Sequence, residues 1–264
     1  MKNLNDIIRP IAAEMQQFEA FFEQTLKADT EPMDSIMRYV LDTQGKRLRP
    51  ILVLLSAKLF GAINERTLRS ATFVEMVHSA TLIHDDVVDD ANQRRNKASV
   101  KAQFGNLSAV LSGDYLLAKA MLLIANDTDI LNEMLRTTAA MSEGELMQNA
   151  SARSLSLSKG RPTDTYLNII TRKTAQLMRS CCVAGALSVN ATPEQIQQIA
   201  NFGLNFGILF QLRDDMLDGE NTTNAQALLP EYLQKTLDSL KSFPASETLE
   251  ALRDLTVFCA ERKV

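Results

Sequence analysis

Glycine and proline are scarce in this chain of 264 residues, which holds ten glycines and seven prolines. Both residues favour turns, and a high density of them marks collagen-like and disordered chains. Hydrophobic residues make up 45% of the chain and charged residues 23%, which are ordinary values for a globular protein. The composition therefore excludes a collagenous, disordered or low-complexity chain.

The chain also lacks a basic surplus and long apolar runs. Its 28 lysines and arginines face 32 aspartates and glutamates, a formal net charge of -4, which argues against a nucleic-acid-binding protein. No apolar run approaches the roughly 20 residues that span a bilayer, and polar residues follow Met1 and Lys2. The three cysteines, two of them adjacent, suit a reducing compartment. We therefore expect a cytoplasmic protein of one domain, residues 1–264, with no stable membrane anchor and no nucleic-acid partner.

Apolar residues recur at steps of three and four, as the buried face of a helix requires, and no segment alternates like a strand. Pro10 is expected near a bend or a helix start. Asn64 and Thr192 are each followed by a sequence typical of a helix start. Breaks rich in turn-forming residues are expected at 28–32, 43–45, 60–64, 91–98, 151–163, 189–193, 219–229 and 243–246. The sequence predicts an all-α fold.

Two acidic clusters lie inside otherwise apolar helices. Both have the pattern Asp-Asp-x-x-Asp, and their members are Asp85, Asp86 and Asp89, then Asp214, Asp215 and Asp218. Residues four apart lie one turn apart on the same side of a helix, so each cluster stacks two like charges. Such repulsion needs cations to offset it, and oxygen ligands alone suit hard divalent ions such as Mg²⁺.

A single cluster of this kind is more typical of a solvated acidic helix end. Two copies, each preceded by apolar residues, favour a chamber between helices that holds a metal-bound diphosphate. Basic residues complement the clusters: three lie within 45–50, and Arg94 and Arg95 follow the first cluster closely. Arginine and lysine match phosphate oxygens, so the two sets form complementary halves of one site.

Other chemistries lack support in the sequence. The two histidines, His78 and His84, and the adjacent cysteines offer no zinc-ligand spacing. His84 is interpreted as a packing residue, whereas His78 is a candidate donor to a phosphate oxygen. No phosphate-binding loop of the Gly-x-x-x-x-Gly-Lys type and no Gly-x-Ser-x-Gly elbow occurs.

Several short motifs follow one another in a fixed order over roughly residues 40–218. They lie at 45–50, 82–89, 94–95, 105–106, 113–116, 144–145 with Gln148, 172–175, 210–211 and 214–218. This ordered set resembles the trans-isoprenyl diphosphate synthases of the polyprenyl synthetase family. The resemblance implies a single-domain antiparallel helical bundle around a deep central cavity, in a homodimer. One Asp-Asp-x-x-Asp alone would be weak, because terpene cyclases share it.

The resemblance also implies a reaction and its residues. An allylic diphosphate ionises, the alkene of isopentenyl diphosphate attacks the cation, and a proton is lost. Mg²⁺ would be bound by Asp85, Asp89 and Asp214, with Asp86, Asp215 and Asp218 in support. Isopentenyl diphosphate would be bound by Lys46, Arg49, His78 and Arg95. The allylic side would be served by Arg94, Lys173, Thr174 and Gln211, of which the last three are the predicted catalytic residues. Arginine, lysine and bound metal fit the departure of diphosphate, because they stabilise its growing negative charge.

Product length should follow the depth of the cavity. Val74, Val77 and Ala80 recur every three residues before Asp85. The family stops short products with a bulky aromatic residue near this level, and residues 74–83 contain none. We therefore expect a product longer than twenty carbons, unless a larger residue from another helix closes the tunnel.

After Asp218 the sequence departs from the family pattern, which continues with a loop bearing a further lysine. No lysine lies between Asp218 and Lys235, whereas residues 233–263 resemble the family's last helices. We expect the lid loop and the helices that follow it to be missing from the interior of the chain. The alternative function is a non-elongating subunit that binds diphosphates and tunes a partner synthase. Intact acidic clusters favour the enzyme, and the basic residues at 45–50 and Arg95 argue against a terpene cyclase.

Overall fold

The structure is a computed structural model that describes residues 2–43, 45–152, 162–220 and 222–262. It is almost entirely helical, which confirms the predicted fold class. The α-helices are α1 (Leu4–Ile7), α2 (Ala12–Leu26), α3 (Glu31–Asp42), α4 (Leu48–Phe60), α5 (Glu65–Val88), α6 (Val100–Phe104), α7 (Asn106–Leu123), α8 (Thr128–Ala152), α9 (Pro162–Ile170), α10 (Gln176–Ser188), α11 (Pro193–Asp218), α12 (Thr222–Asp238) and α13 (Glu247–Glu261). A 3₁₀ turn, Arg9–Ile11, joins α1 to α2, and a π-helical turn, Thr171–Ala175, joins α9 to α10.

Helices α4 and α10 form the centre of the bundle, because most of their residues are buried. Gly185 of α10 lets the two backbones meet, since a Cβ at this position would lie 2.3 Å from the carbonyl oxygen of Val53. Helices α5, α8 and α11 pack around α10. The central pair thus serves as the frame against which the two acidic helices, α5 and α11, are positioned.

The predicted helix starts are confirmed at two long helices. Asn64 and Thr67 form a reciprocal capping box at the start of α5, and Thr192 and Gln195 form another at the start of α11. Each cap satisfies backbone N–H groups that have no partner within the helix. Pro10 was predicted near a bend or a helix start, and it lies in the 3₁₀ turn before α2.

The segment 91–98 is a break between helices, as expected, but it contains a hairpin that the sequence did not predict. Strand β1 (Gln93–Arg94) pairs antiparallel with β2 (Lys97–Ala98). The two turn residues, Arg95 and Asn96, have φ angles of 53° and 62°, the left-handed conformation found in tight two-residue hairpin turns. Two residues per strand are too few to show alternation, so the pattern could not reveal it.

The expected break at 219–229 is wrong over most of its length, because α12 begins at Thr222. Its residues Ala225, Leu228 and Leu229 pack in a small core with Tyr166 and Ile208, and this packing outweighs their weak local signal. The expected break at 151–163 lies mostly outside the described residues. The remaining breaks fall between helices as predicted.

The three cysteines are buried and free of disulfides, and burial raises the pKa of each thiol. Within the described ranges, no helix combines the length and the apolarity needed to cross a bilayer.

Candidate active site

Two adjoining lobes of one cavity open where α5, α8 and α11 meet the π-helical turn. The first lobe has a volume of about 830 Å³ and the second about 750 Å³. Residues common to both linings are Leu82, Asp85, Arg94, Lys173, Thr174 and Gln211. Asp214 lines the first lobe, whereas Asp89, Asp215 and Asp218 line the second. The fold therefore brings the two acidic clusters to the same cavity.

The three aspartates of the first cluster differ in their surroundings. Asp86 is buried and accepts two hydrogen bonds from Arg94, at 3.0 Å from Nε and 2.5 Å from a terminal nitrogen. Asp85 faces the cavity. Burial raises its pKa to about 6, and repulsion from Glu145 and Asp89 adds to that effect. Asp89 caps the end of α5 and is exposed at the second lobe.

The second cluster repeats this arrangement. Asp215 is buried, and its two oxygens accept hydrogen bonds from the Tyr166 hydroxyl at 2.5 Å and from Gln211 Nε2 at 2.7 Å. Asp214 is only partly buried. Burial raises its pKa, with repulsion from Asp218 and Asp215 acting in the same direction. Asp218 is exposed at the second lobe.

The middle aspartate of each cluster is thus held by protein donors, while the outer two remain at the cavity. Among the described residues, no three His, Cys, Asp or Glu side chains converge into a complete metal site. A Mg²⁺ ion uses few carboxylates and takes its other oxygens from phosphate and water. Cavity-facing carboxylates of raised pKa, such as Asp85 and Asp214, fit such an ion, because a nearby cation would relieve their unfavourable charge.

The π-helical turn brings Lys173 and Thr174 to the cavity. Lys173 Nζ lies 2.5 Å from Glu145 of α8, and the Thr174 hydroxyl donates to Gln211 Oε1 at 2.7 Å. Gly144 allows this approach, since a Cβ there would lie 2.7 Å from the Lys173 backbone nitrogen. Single π turns within helices are frequent at functional sites. The turn therefore joins the three predicted catalytic residues into one group, although Glu145 was not predicted.

The residues predicted to bind diphosphate line the first lobe, with one exception. Its lining includes Arg49, His78, Arg94 and Arg95, whereas Lys46 is exposed and lines neither lobe. The Nε of Arg49 is buried and has no hydrogen-bond partner in the described structure. Burial lowers the pKa of His78 well below its usual value, and the surrounding arginines add to this effect, so the imidazole is neutral. A neutral imidazole still offers one N–H donor.

Arg47 has a different function from its neighbours. It is buried, adopts a φ of 53°, and donates to Glu75 at 2.6 Å and to Glu19 at 3.1 Å. Its guanidinium also lies 4.5 Å from the centre of the Phe22 ring. The basic run at 45–50 therefore supplies one structural arginine and one, Arg49, that faces the cavity.

Arg262, just beyond the end of α13, also lies at the site and was not predicted. It forms an ion pair with Asp214 and stacks over Phe210 with 4.2 Å between the guanidinium carbon and the ring centre. Its backbone carbonyl accepts hydrogen bonds from Arg213. The charge of Asp214 is thus partly balanced by a residue 48 positions away in the chain.

His84 packs against α7 and also lines the first lobe. Its Nε2 lies 3.1 Å from the carbonyl oxygen of Val110 and 3.5 Å from Asp114. Gly113 leaves the space that the ring occupies, because a Cβ there would lie 2.1 Å from this nitrogen.

The three predicted chain-length residues, Val74, Val77 and Ala80, are buried in the main core and line neither lobe. Thr81 of α5 and Met141 of α8 do line the first lobe. Met141 is a larger residue that reaches this lobe from another helix.

A family model described as polyprenyl synthetase matches residues 30–228. The chain belongs to the polyprenyl synthetase family. The octaprenyl diphosphate synthase of Haemophilus influenzae is 32% identical over 86% of this chain and 68% of that protein. The octaprenyl diphosphate synthase of Escherichia coli is 31% identical over 82% of this chain and 66% of that protein. The chain thus spans about two thirds of the length of these curated relatives.

The likeness to this family extends to the fold. The crystal structure of a polyprenyl synthase from Caulobacter crescentus, complexed with calcium and isoprenyl diphosphate, matches with a TM-score of 0.89. The match covers 99% of this chain and 98% of that one at 26% identity. The antiparallel bundle around a deep cavity is therefore the fold of this family of synthases.

Proposed function

We propose that this protein is a Mg²⁺-dependent prenyltransferase that condenses an allylic diphosphate with isopentenyl diphosphate. The observation that carries the proposal is a single cavity with two opposed pairs of carboxylates and a wall of arginines. Asp85 and Asp214 line the first lobe together with Arg49 and Arg95. Carboxylates bind metal ions and cations bind phosphate, so a cavity that contains both kinds of residue fits a metal-bound diphosphate.

Mg²⁺ would be held by Asp85, Asp89 and Asp214, with Asp218 in support. Bound there, the ion would neutralise the diphosphate as it leaves. Asp86 and Asp215 would support the site by positioning the residues that donate to them. Asp86 accepts a hydrogen bond from Arg94, and Asp215 accepts hydrogen bonds from Tyr166 and Gln211. The calcium and isoprenyl diphosphate of the Caulobacter crescentus structure support a divalent metal beside a diphosphate in this fold.

The chain's own residues would bind and orient the two substrates. Arg49, His78 and Arg95 would bind isopentenyl diphosphate, with Lys46 reaching it from the rim. Arg94 and Lys173 would bind the allylic diphosphate, and their charge would favour cleavage of its carbon–oxygen bond. The alkene of isopentenyl diphosphate then forms the new carbon–carbon bond, and its proton passes to the departed diphosphate.

The cation formed in this step needs an environment with few water molecules and fixed dipoles. Thr174 and Gln211 supply such dipoles, because each is fixed by the other through a hydrogen bond of 2.7 Å. Apolar side chains such as Leu82, Met141 and Phe210 line the same lobe and limit access of water. Lys173 lines the same lobe as Thr174 and Gln211, and this shared location supports a catalytic role for all three residues.

We propose a product longer than twenty carbons. The relatives' names as octaprenyl diphosphate synthases support this length. Val74, Val77 and Ala80 line neither lobe, so the proposed length rests on the relatives and not on these three residues.

We further propose a cytoplasmic homodimer with one domain per chain. The main core runs from Ile7 to Cys259, which supports one domain, and the free, buried cysteines suit a reducing compartment. Leu107, Leu111 and Leu122 of α7 are 75%, 52% and 77% exposed, an apolar face that a second copy would cover.

The short connection from α11 to α12 is consistent with the expected loss of a lid loop after Asp218.

Incorporation of labelled isopentenyl diphosphate, with farnesyl or geranylgeranyl diphosphate as primer, tests the proposal. Magnesium-dependent elongation that stops on chelation is the expected result, and chromatography of the products gives their length. Binding of isopentenyl diphosphate should be measured on the same preparation by calorimetry. Metal-dependent binding without elongation would contradict the synthase and favour a non-elongating, diphosphate-binding subunit.

A further inference from the structure

The cations proposed to bind isopentenyl diphosphate come from two separate segments of the chain. Lys46 and Arg49 lie at the start of α4, whereas Arg95 lies in the turn of the hairpin that follows α5. Recognition of one diphosphate by both segments requires a fixed distance between them, because a misplaced charge binds its ligand weakly.

Packing beneath the hairpin does not fix that distance. A cavity of about 50 Å³ lies there, lined by Tyr39, Arg47, Arg94 and Arg95 among others. Close-packed side chains normally hold an element in place, and a gap of this size removes part of that support.

Repulsion between arginine side chains also opposes the close approach of Arg95 to Arg49. Burial lowers the pKa values of Arg49 and Arg95, and the two guanidinium groups repel each other. Arg47 and Arg94 repel Arg95 as well.

Two hydrogen bonds from Arg94 to Asp86 tie the hairpin to α5, and Glu75 of α5 attracts Arg95. Neither contact ties the hairpin to the segment that carries Arg49, so further attachments are needed there.

Three long-range hydrogen bonds supply these attachments at the end of α3. Lys97 Nζ donates to the carbonyl oxygen of Asp42 at 2.7 Å, and the Tyr39 hydroxyl donates to that of Ala98 at 2.7 Å. Arg95 itself donates to the carbonyl oxygen of Thr43 at 2.8 Å. Two of the three donors are cations at the C-terminal end of a helix, where the unpaired carbonyl groups favour positive charge.

The backbone on both sides is adapted to this contact. The left-handed φ of Arg95 makes the tight turn that directs its side chain back towards α3 and α4. Gly45 leaves room for it, because a Cβ at that position would lie 2.6 Å from the guanidinium carbon of Arg95.

We propose that Lys97 and Tyr39 are positioning residues that clamp the hairpin to the end of α3 and thereby set the distance between Arg95 and Arg49. The inference rests on the proposed function, since it assigns these residues to the isopentenyl diphosphate half of that site. Neither Lys97 nor Tyr39 lines the two lobes of the cavity, so neither contacts the substrate. Their loss acts through the arginines alone.

The test compares K97M with K119M by steady-state kinetics. Lys119 is the matched control, because its Nζ also donates to a backbone carbonyl oxygen, that of Lys27, away from the hairpin. K97M should raise the KM for isopentenyl diphosphate about fivefold, as expected for loss of one charge-assisted hydrogen bond. The KM for the allylic primer and kcat should stay within about twofold, since the contact is remote from the reacting atoms.

Conservative variants refine the result. K97R keeps a cationic donor and should restore most of the wild-type KM, whereas Y39F should raise it in the same direction as K97M. Equilibrium binding of isopentenyl diphosphate by calorimetry should show the same order of affinities.

Equal KM values for K97M and K119M would overturn the inference, as would a KM for the allylic primer that rises in parallel. A K97R variant as impaired as K97M would also overturn it. Failure of the proposed function is distinguishable, because neither the wild-type protein nor K119M would then elongate any primer.

Discussion

Asp85 and Asp86 are adjacent in the chain, yet the structure places them in different chemical environments. Asp86 has a guanidinium as its partner, whereas Asp85 faces a cavity beside Glu145 and Asp89. Asp214 and Asp215 also differ, since Tyr166 and Gln211 donate to Asp215, whereas Arg262 forms an ion pair with Asp214. The pKa is raised at Asp85 and Asp214, which are two of the aspartates that we propose as metal ligands.

Asp85→Asn should therefore stabilise the metal-free protein in a pH-dependent way. The folded pKa of about 6 lies above the ordinary 3.8, so ionisation of Asp85 weakens the folded state as pH rises between these values. At pH 8 the variant should gain about 3 °C in Tm, and the gain should shrink at pH 4.5. Thermal unfolding in chelator measures both.

The control for this prediction is Asp29→Asn, at an exposed position between α2 and α3. An equal gain in Tm for the two variants at pH 8, or a gain from Asp85→Asn that grows towards low pH, would contradict the environment described for Asp85.

The elements show where sequence information is sufficient and where it is not. The caps at Asn64 and Thr192 depend on residues three positions apart, so the sequence predicted both starts. The aspartates spaced four residues apart on α5 and α11 could likewise be recognised from the sequence. Tyr166 and Arg262 contact the second cluster from 49 and 48 residues away, and no local pattern marks such a pair. Helix α12 was missed for the same reason, because tertiary contacts stabilise it, whereas the two-residue strands of the hairpin are too short to show alternation.

Contact between α4 and α10 should depend on Gly185. A Cβ there would lie 2.3 Å from Val53 O and 3.1 Å from the Ala57 nitrogen, both backbone atoms that cannot move alone. Gly185→Ala should lower the free energy of unfolding by about 3 kcal/mol, the upper range for overpacked cores. Urea denaturation measures the change.

Gly105→Ala is the matched comparison. Gly105 has a φ of 88°, and no atom lies within 4 Å of the position that a Cβ would occupy, so the substitution brings backbone strain without a clash. This strain is worth about 2 kcal/mol, because φ 88° with ψ 160° is a conformation that is essentially limited to glycine. A Gly185→Ala variant no less stable than Gly105→Ala would contradict the close approach of α4 and α10.

At the scale of the whole molecule, four of the seven large hydrophobic residues exposed in the described structure, Leu107, Val110, Leu111 and Leu122, lie on α7. Leu111→Glu should convert the proposed dimer into monomers, because a carboxylate buried in an interface without a partner is strongly unfavourable. Sedimentation equilibrium measures the mass. Leu135→Glu, at an exposed leucine on α8, should leave the dimer intact. A wild-type monomer, or a Leu111→Glu dimer of unchanged strength, would contradict the proposed interface.

The central claim is that two opposed carboxylate pairs serve one elongation reaction. Its most direct measurement is incorporation of labelled isopentenyl diphosphate by the wild-type protein, Asp85→Ala and Asp214→Ala, each with Mg²⁺ and an allylic primer. Elongation by the wild type, with a loss of at least about a thousandfold in either variant, is the predicted result. Elongation that survives either substitution nearly unchanged would show that the two clusters do not act on one substrate, and would contradict the account.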